Sequence, residues 1–140
     1  MRTDARAIGA GVAGGLLFGI MMTTMGMMEM VAGLMGSESI VVGWIVHLAI
    51  SVIFGAVYAV ILGAMTTTYG RGAGLGAVYG LGVWVLGPLL IMPLWMGMSP
   101  FVIEQPQINS LIGHAVFGLV LGVVYAAATS GVPTTARART

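Results

Sequence analysis

The chain's only two imidazoles, His47 and His114, stand inside long apolar runs, GWIVHLAISVIFGAVYAVI and SLIGHAVFGLVLGVVYAAA. An imidazole titrates near neutrality (unperturbed pKa about 6.5), donates and accepts hydrogen bonds, and ligates metals. Ser51 follows His47 by four residues, one helical turn. Glu38 and Glu104 precede the two histidines by nine and ten residues, in more polar links. Together His47, His114, Ser51, Glu38 and Glu104 define a paired polar site for a proton, a metal or a small polar solute. In that reading the carboxylates serve as anionic mouths or as partners of the imidazoles. The plainer role for each histidine is an interhelical hydrogen bond, and for each glutamate a solvated loop position. Ionisable groups in membrane segments mark functional pathways often enough to keep the first reading in play.

Other chemistries find less support. Ten of the twelve methionines cluster at one level: Met21, Met22, Met25, Met27, Met28, Met30, Met35, Met92, Met96 and Met98. Thioethers suit soft ions such as Cu(I) or Ag(I), but methionine is also an adaptable apolar filler. The metal therefore stays unknown. Bis-histidine haem ligation needs two imidazoles facing one cavity, and nothing in the spacing calls for it. No acid stands in an apolar segment to complete a Ser/His/Asp arrangement, no phosphate-binding loop exists, and there is no cysteine. The expectation is no catalytic residue, no enzyme activity and no cofactor.

These residues must be positioned by membrane helices. Of 140 residues, 59% are hydrophobic and 6% charged, with a mean hydropathy of +1.06, whereas soluble domains carry about a quarter charged residues. A net charge of +1 leaves no basic face for phosphates, so nucleic-acid binding is disfavoured and no nucleic-acid partner is expected. Four apolar stretches, about Ile8–Met28, Ile40–Ala64, Gly72–Met96 and Ile108–Ala128, contain no charged residue and are long enough to cross about 30 Å of hydrocarbon. The first is too long for a secretory leader and is echoed later in the chain, so it is expected to be retained. The links are too short for an extramembrane domain. All five arginines (Arg2, Arg6, Arg71, Arg137 and Arg139) fall on one side of four crossings, which the positive-inside rule makes cytoplasmic. Both termini are therefore expected inside a cell membrane, with Glu29, Glu38 and Glu104 outside.

Self-comparison explains why the histidines come as a pair. At an offset of 67, His47, Ser51, Gly55, Tyr58 and Ala59 match His114, Gly118, Gly122, Tyr125 and Ala126. At an offset of 61, Gly11, Gly15, Gly19, Phe18 and Gly26 match Gly72, Gly76, Gly80, Tyr79 and Gly87. The predicted fold is all-α: a four-transmembrane-helix bundle made by duplicating a two-helix hairpin, with a pseudo-twofold along the membrane normal. It forms a single membrane domain over residues 1–140, with repeats at about 8–64 and 72–128 and short tails at 1–7 and 129–140. The four-residue spacing of Gly11, Gly15, Gly19, of Gly72, Gly76, Gly80, and of Gly55, Gly118 and Gly122 with their neighbours predicts smooth helix-packing stripes. Pro88 and Pro93 are expected to kink or end the third helix.

From His47 onward the pattern resembles the YagU-like group of bacterial inner-membrane proteins and small four-helix haloarchaeal membrane proteins sometimes labelled histidine kinases. The residues that carry it are His47, Ser51, Phe54 and Tyr58; Pro93-Leu94, Met96-Gly97, Ser99-Pro100 and Glu104-x-Pro106; and Gly113-His114. They span about half the chain, residues 47–117. The resemblance implies topology rather than mechanism, and no segment here would form an ATP-binding domain. The expectation is a non-enzymatic structural or accessory membrane module. The alternative is a small oligomeric channel or transporter built on the paired histidines. The bilayer, further copies of the chain or a partner membrane protein are the expected surroundings.

Overall fold

A computed structural model describes residues 2–130, with side chains from residue 5. The arginines expected at positions 137 and 139 lie outside the described residues. Helix α1 (Arg2–Thr24) is followed by a short α2 (Met28–Ala32) continuing into a 3-10 turn at Gly33–Met35. Helix α3 (Ile40–Leu62) ends in a 3-10 turn at Gly63–Met65. Helix α4 (Tyr69–Leu86) runs through a π-helical turn, Gly87–Ile91, into α5 (Met92–Trp95), and α6 covers Gln105–Ser130. Among the described residues there is no strand. Four stretches, Ala5–Thr24, Ile40–Met65, Tyr69–Trp95 and Gln105–Ser130, are long and apolar enough to cross a membrane. This is the architecture of a multi-pass membrane protein.

Local chemistry sets the boundaries. Ser39 and Thr68 cap α3 and α4 by accepting from the amides of Val42 and Arg71. At the start of α6 the Gln107 side chain reaches back to the Glu104 amide at 3.1 Å, and Pro106 occupies a first-turn position where no amide hydrogen is needed. Helix α1 begins at Arg2, within the stretch 1–7 that precedes the first apolar run. The first apolar stretch, expected as one helix over Ile8–Met28, breaks at Gly26, whose φ of +66° is left-handed, and a short helix, Met28–Ala32, follows. At Pro88 the third span passes from α-helix into a π turn, Gly87–Ile91, and α-helix resumes through Pro93 to end at Trp95. Pro93 has no amide to offer the Leu89 carbonyl four residues back. The Phe101 amide takes its place at 2.7 Å, folding the following link onto the helix.

The helices run antiparallel in a row, α3–α1–α6–α4. On its glycine face the α4–α6 crossing is backbone against backbone. A Cβ placed on Gly72, Gly76 or Gly80 would collide with the carbonyl oxygens of Gly122, Gly118 and His114 respectively, so only hydrogen fits. Each glycine Cα–H therefore faces a carbonyl oxygen, a recurring weak attraction of about 0.5–1 kcal/mol. The α1–α3 crossing uses Gly11 and Gly55 likewise, but side chains intervene further along it: Ser51 against Gly15, then Trp44 and His47 against Gly19. Helix α1 also meets α6, where Phe117 lies over Gly14 and Phe18 over Gly113. By contrast α3 and α4 barely meet. Their link is the Tyr79 hydroxyl donating to the Phe54 carbonyl at 2.6 Å, with the Tyr79 ring edge-on to Tyr58.

Candidate functional site

The two imidazoles converge on one phenyl ring. Phe18, 4% exposed, packs edge-on against His47 at a centroid distance of 5.3 Å and against His114 at 4.7 Å. Yet the two histidines are held differently. His47 reaches across from α3 and its Nε2–H donates to the Gly15 carbonyl of α1 at 2.8 Å. His114 stays on its own helix, its Nδ1–H donating to the Ser110 carbonyl at 2.8 Å with the Ser110 hydroxyl 3.2 Å away.

The two crossings differ beside these rings: Ser51 stands against Gly15 between α1 and α3, whereas Gly118 lies against Gly76 and α6 approaches α4 backbone to backbone. The His114 carbonyl itself lies against Gly80, leaving no gap into which the imidazole can insert. It turns instead toward Phe18. Ser51 does not touch either ring nitrogen; its hydroxyl donates to the His47 carbonyl at 2.8 Å, one turn back along α3.

Both imidazoles line a cavity of about 570 Å³, within the range of small-molecule sites. It lies where α3 and α4 part beyond Phe54 and Val83, on the Trp95 side of the tyrosines, and both helices contribute to its walls. Helix α6 supplies its polar wall, with Gln107, Ser110 and His114 at spacings of three and four residues on one face. The remaining lining is apolar: Phe18, Phe54, Val83, Trp95, several aliphatic residues, and Met22, Met27, Met30, Met35 and Met92. Its roof is α2 with its 3-10 turn, tied to α5 by the Trp95 indole N–H donating to the Leu34 carbonyl at 3.0 Å. Beneath it lies a smaller space of about 40 Å³, room for about one water, bordered by His47, Ser51, His114 and Phe18. Below that the core closes around Tyr58, Leu121 and Tyr125, all buried.

Glu38 and Glu104 stand apart from this arrangement. Both are exposed, neither lines the cavity, and neither hydrogen-bonds an imidazole. Of the five methionines in the lining, Met22, Met27, Met30 and Met35 come from the end of α1 and the segment through α2, and Met92 from α5. Among the described residues no three His, Cys, Asp or Glu side chains cluster as a metal site would require. Sequence reasoning missed Phe18, Ser110 and Gln107. The spacing of Gln107, Ser110 and His114 along one helical face was a signal for the latter two, and Phe18 carried none. No family model, curated protein or solved structure matches this chain.

Proposed function

We propose that this protein is a non-enzymatic multi-pass membrane module that binds a small molecule dissolved in the bilayer, at a site shared by His47 and His114. One observation carries the reading: one cavity of about 570 Å³ takes in both imidazoles. Apolar walls with a few convergent polar groups describe a binding site rather than a pore. A channel or transporter needs a path to the other face, whereas here the layer of Tyr58, Tyr79, Tyr125 and Leu121 fills the core beneath the histidines. The paired site accordingly consists of His47 and His114 with Ser110 and Gln107, while Ser51 spaces the helices and the two glutamates belong to the links.

The reading includes a duplicated hairpin with both termini cytoplasmic. The repeated His–Ser/Gly–Gly–Tyr pattern supports the duplication, and the one-sided arginines support the orientation. The cavity would then lie toward the outer leaflet. Duplicated sequences meeting in unequal helix pairs, one spaced by Ser51 and one closed at Gly118, leave the gap in which a ligand sits.

Because the chain has no cysteine, access to the cavity can be tested with single substitutions. Met22 is 4% exposed yet lines the cavity, whereas Ala126 is fully buried in a helix contact. In liposomes a lipid-soluble maleimide is expected to label Met22→Cys and to leave Ala126→Cys unmodified. Equal protection of the two would sink the reading.

A further inference from the structure

The hydrogen bonds at the two imidazoles fix what kind of ligand the cavity accepts. A backbone carbonyl only accepts, so the nitrogen that meets it must carry the hydrogen. His47 therefore holds its hydrogen on Nε2, facing the Gly15 carbonyl, and His114 holds its on Nδ1, facing the Ser110 carbonyl. In a neutral imidazole the other nitrogen is then a bare acceptor. Those are Nδ1 of His47 and Nε2 of His114, and neither has a hydrogen-bond partner among the described residues. Every fully buried side-chain nitrogen or oxygen among them does have a partner. The two bare nitrogens are therefore not sealed in the protein; they open onto the cavities that both rings line.

A ligand that satisfies two acceptors must be a donor. Resting on the cavity reading above, we propose that the site takes a neutral, bilayer-soluble hydroxyl compound of phenol or quinol type, its O–H directed at the free imidazole nitrogen of His114 or His47. Neutrality follows from the lining, which contains no Asp, Glu, Lys or Arg to balance a charge in an apolar surround. The aromatic body follows from Phe18, Phe54 and Trp95 together with five methionine thioethers, which make favourable contacts with ring edges. Entry between α3 and α4, which barely meet, would bring such a molecule in from lipid without crossing water. A bare metal ion fits the free nitrogens but not the rest: the space is far larger than an ion, and no anionic group lines it.

The test compares two probes that differ only in the donor hydrogen. Tritiated 4-nonylphenol and its methyl ether, 4-nonylanisole, are titrated against the full-length protein in nanodiscs, with ligand expressed as mole fraction in lipid. The phenol is expected to bind saturably and at least tenfold more tightly than the ether. In His114→Phe, which keeps a ring of similar size, that preference is expected to fall to about threefold or less. Ala49→Trp, which fills the cavity from its α3 wall, is expected to abolish saturable binding of both probes while leaving the fold intact by circular dichroism. Equal binding of phenol and ether, or an unchanged preference in His114→Phe, overturns the donor assignment. If the Met22→Cys labelling succeeds at the same time, the cavity survives and only the ligand class falls; if that labelling fails too, the site itself is wrong. Binding of Ag(I) that is lost in His114→Phe, with no saturable phenol binding, likewise overturns the proposal in favour of a metal.

Discussion

Two glycines in α1, two residues apart, offer a controlled test of how the helices are held. A Cβ added at Gly11 would lie 2.6 Å from the Ser51 carbonyl oxygen and 3.2 Å from the Gly55 Cα, whereas one added at Gly9 meets nothing within 4 Å. Ordinary contact begins at 3.4 Å, so restoring it in Gly11→Ala separates α1 and α3 by the difference from 2.6 Å, 0.8 Å. The obstacle is backbone and cannot swing aside. The same separation would stretch the His47–Gly15 hydrogen bond from 2.8 Å to about 3.6 Å, beyond hydrogen-bonding range. Overpacking typically costs about 1–3 kcal/mol, and a lost interhelical bond in a membrane about 0.6 kcal/mol. Alanine's better helix propensity returns roughly 0.5–1 kcal/mol at either site. Gly11→Ala is thus expected to destabilise by about 1–2 kcal/mol and Gly9→Ala to be neutral or stabilising. The gap between them, about 2 kcal/mol, corresponds to roughly a thirtyfold difference in the folding equilibrium. Unfolding in mixed micelles by added denaturing detergent, followed by tryptophan fluorescence, reads it directly. Equal stability of the two variants, or a more stable Gly11→Ala, would refute the backbone-contact account of the α1–α3 crossing.

Orientation is checked on the same cysteine-free background: Glu38→Cys and Glu104→Cys are expected to react with an impermeant maleimide from outside the cell, and Arg71→Cys only after the cytoplasmic face is opened. The reverse pattern would invert the topology. Tyr79→Phe removes the one hydrogen bond joining α4 to α3, and His47→Phe removes the one between the His47 ring and α1. Each is expected to lower stability by about 0.6–1.7 kcal/mol, and their effects should add because the groups share no partner. A stability loss under 0.2 kcal/mol in both, measured by the same detergent titration, would show that these bonds do not hold the helices together.

The four spans could be read from the sequence because the signal is local: an uncharged apolar run of sufficient length has few alternatives to a membrane helix. The glycine faces were legible for the same reason, since Gly72, Gly76 and Gly80 share a side at any α-helical spacing. That a serine, Ser51, stands four residues after His47 but a glycine, Gly118, four after His114 was equally visible, while its consequence was not. Whether an imidazole crosses to its neighbour, as His47 does to Gly15, or folds back, as His114 does to Ser110, depends on how closely two backbones approach. That approach is set by contacts between residues tens of positions apart. The parting of α3 from α4, the gathering of methionines from α1, α2 and α5 around the gap, and the placing of Phe18 between two histidines are decided at the same level. Between apolar helices in lipid no large hydrophobic gain selects one arrangement, so steric fit of small residues and a few hydrogen bonds choose it. Composition and period determine that there are four helices and which faces are smooth. Only the tertiary packing determines that two of those faces close completely, that a third pair stays ajar, and that both histidines look into the opening.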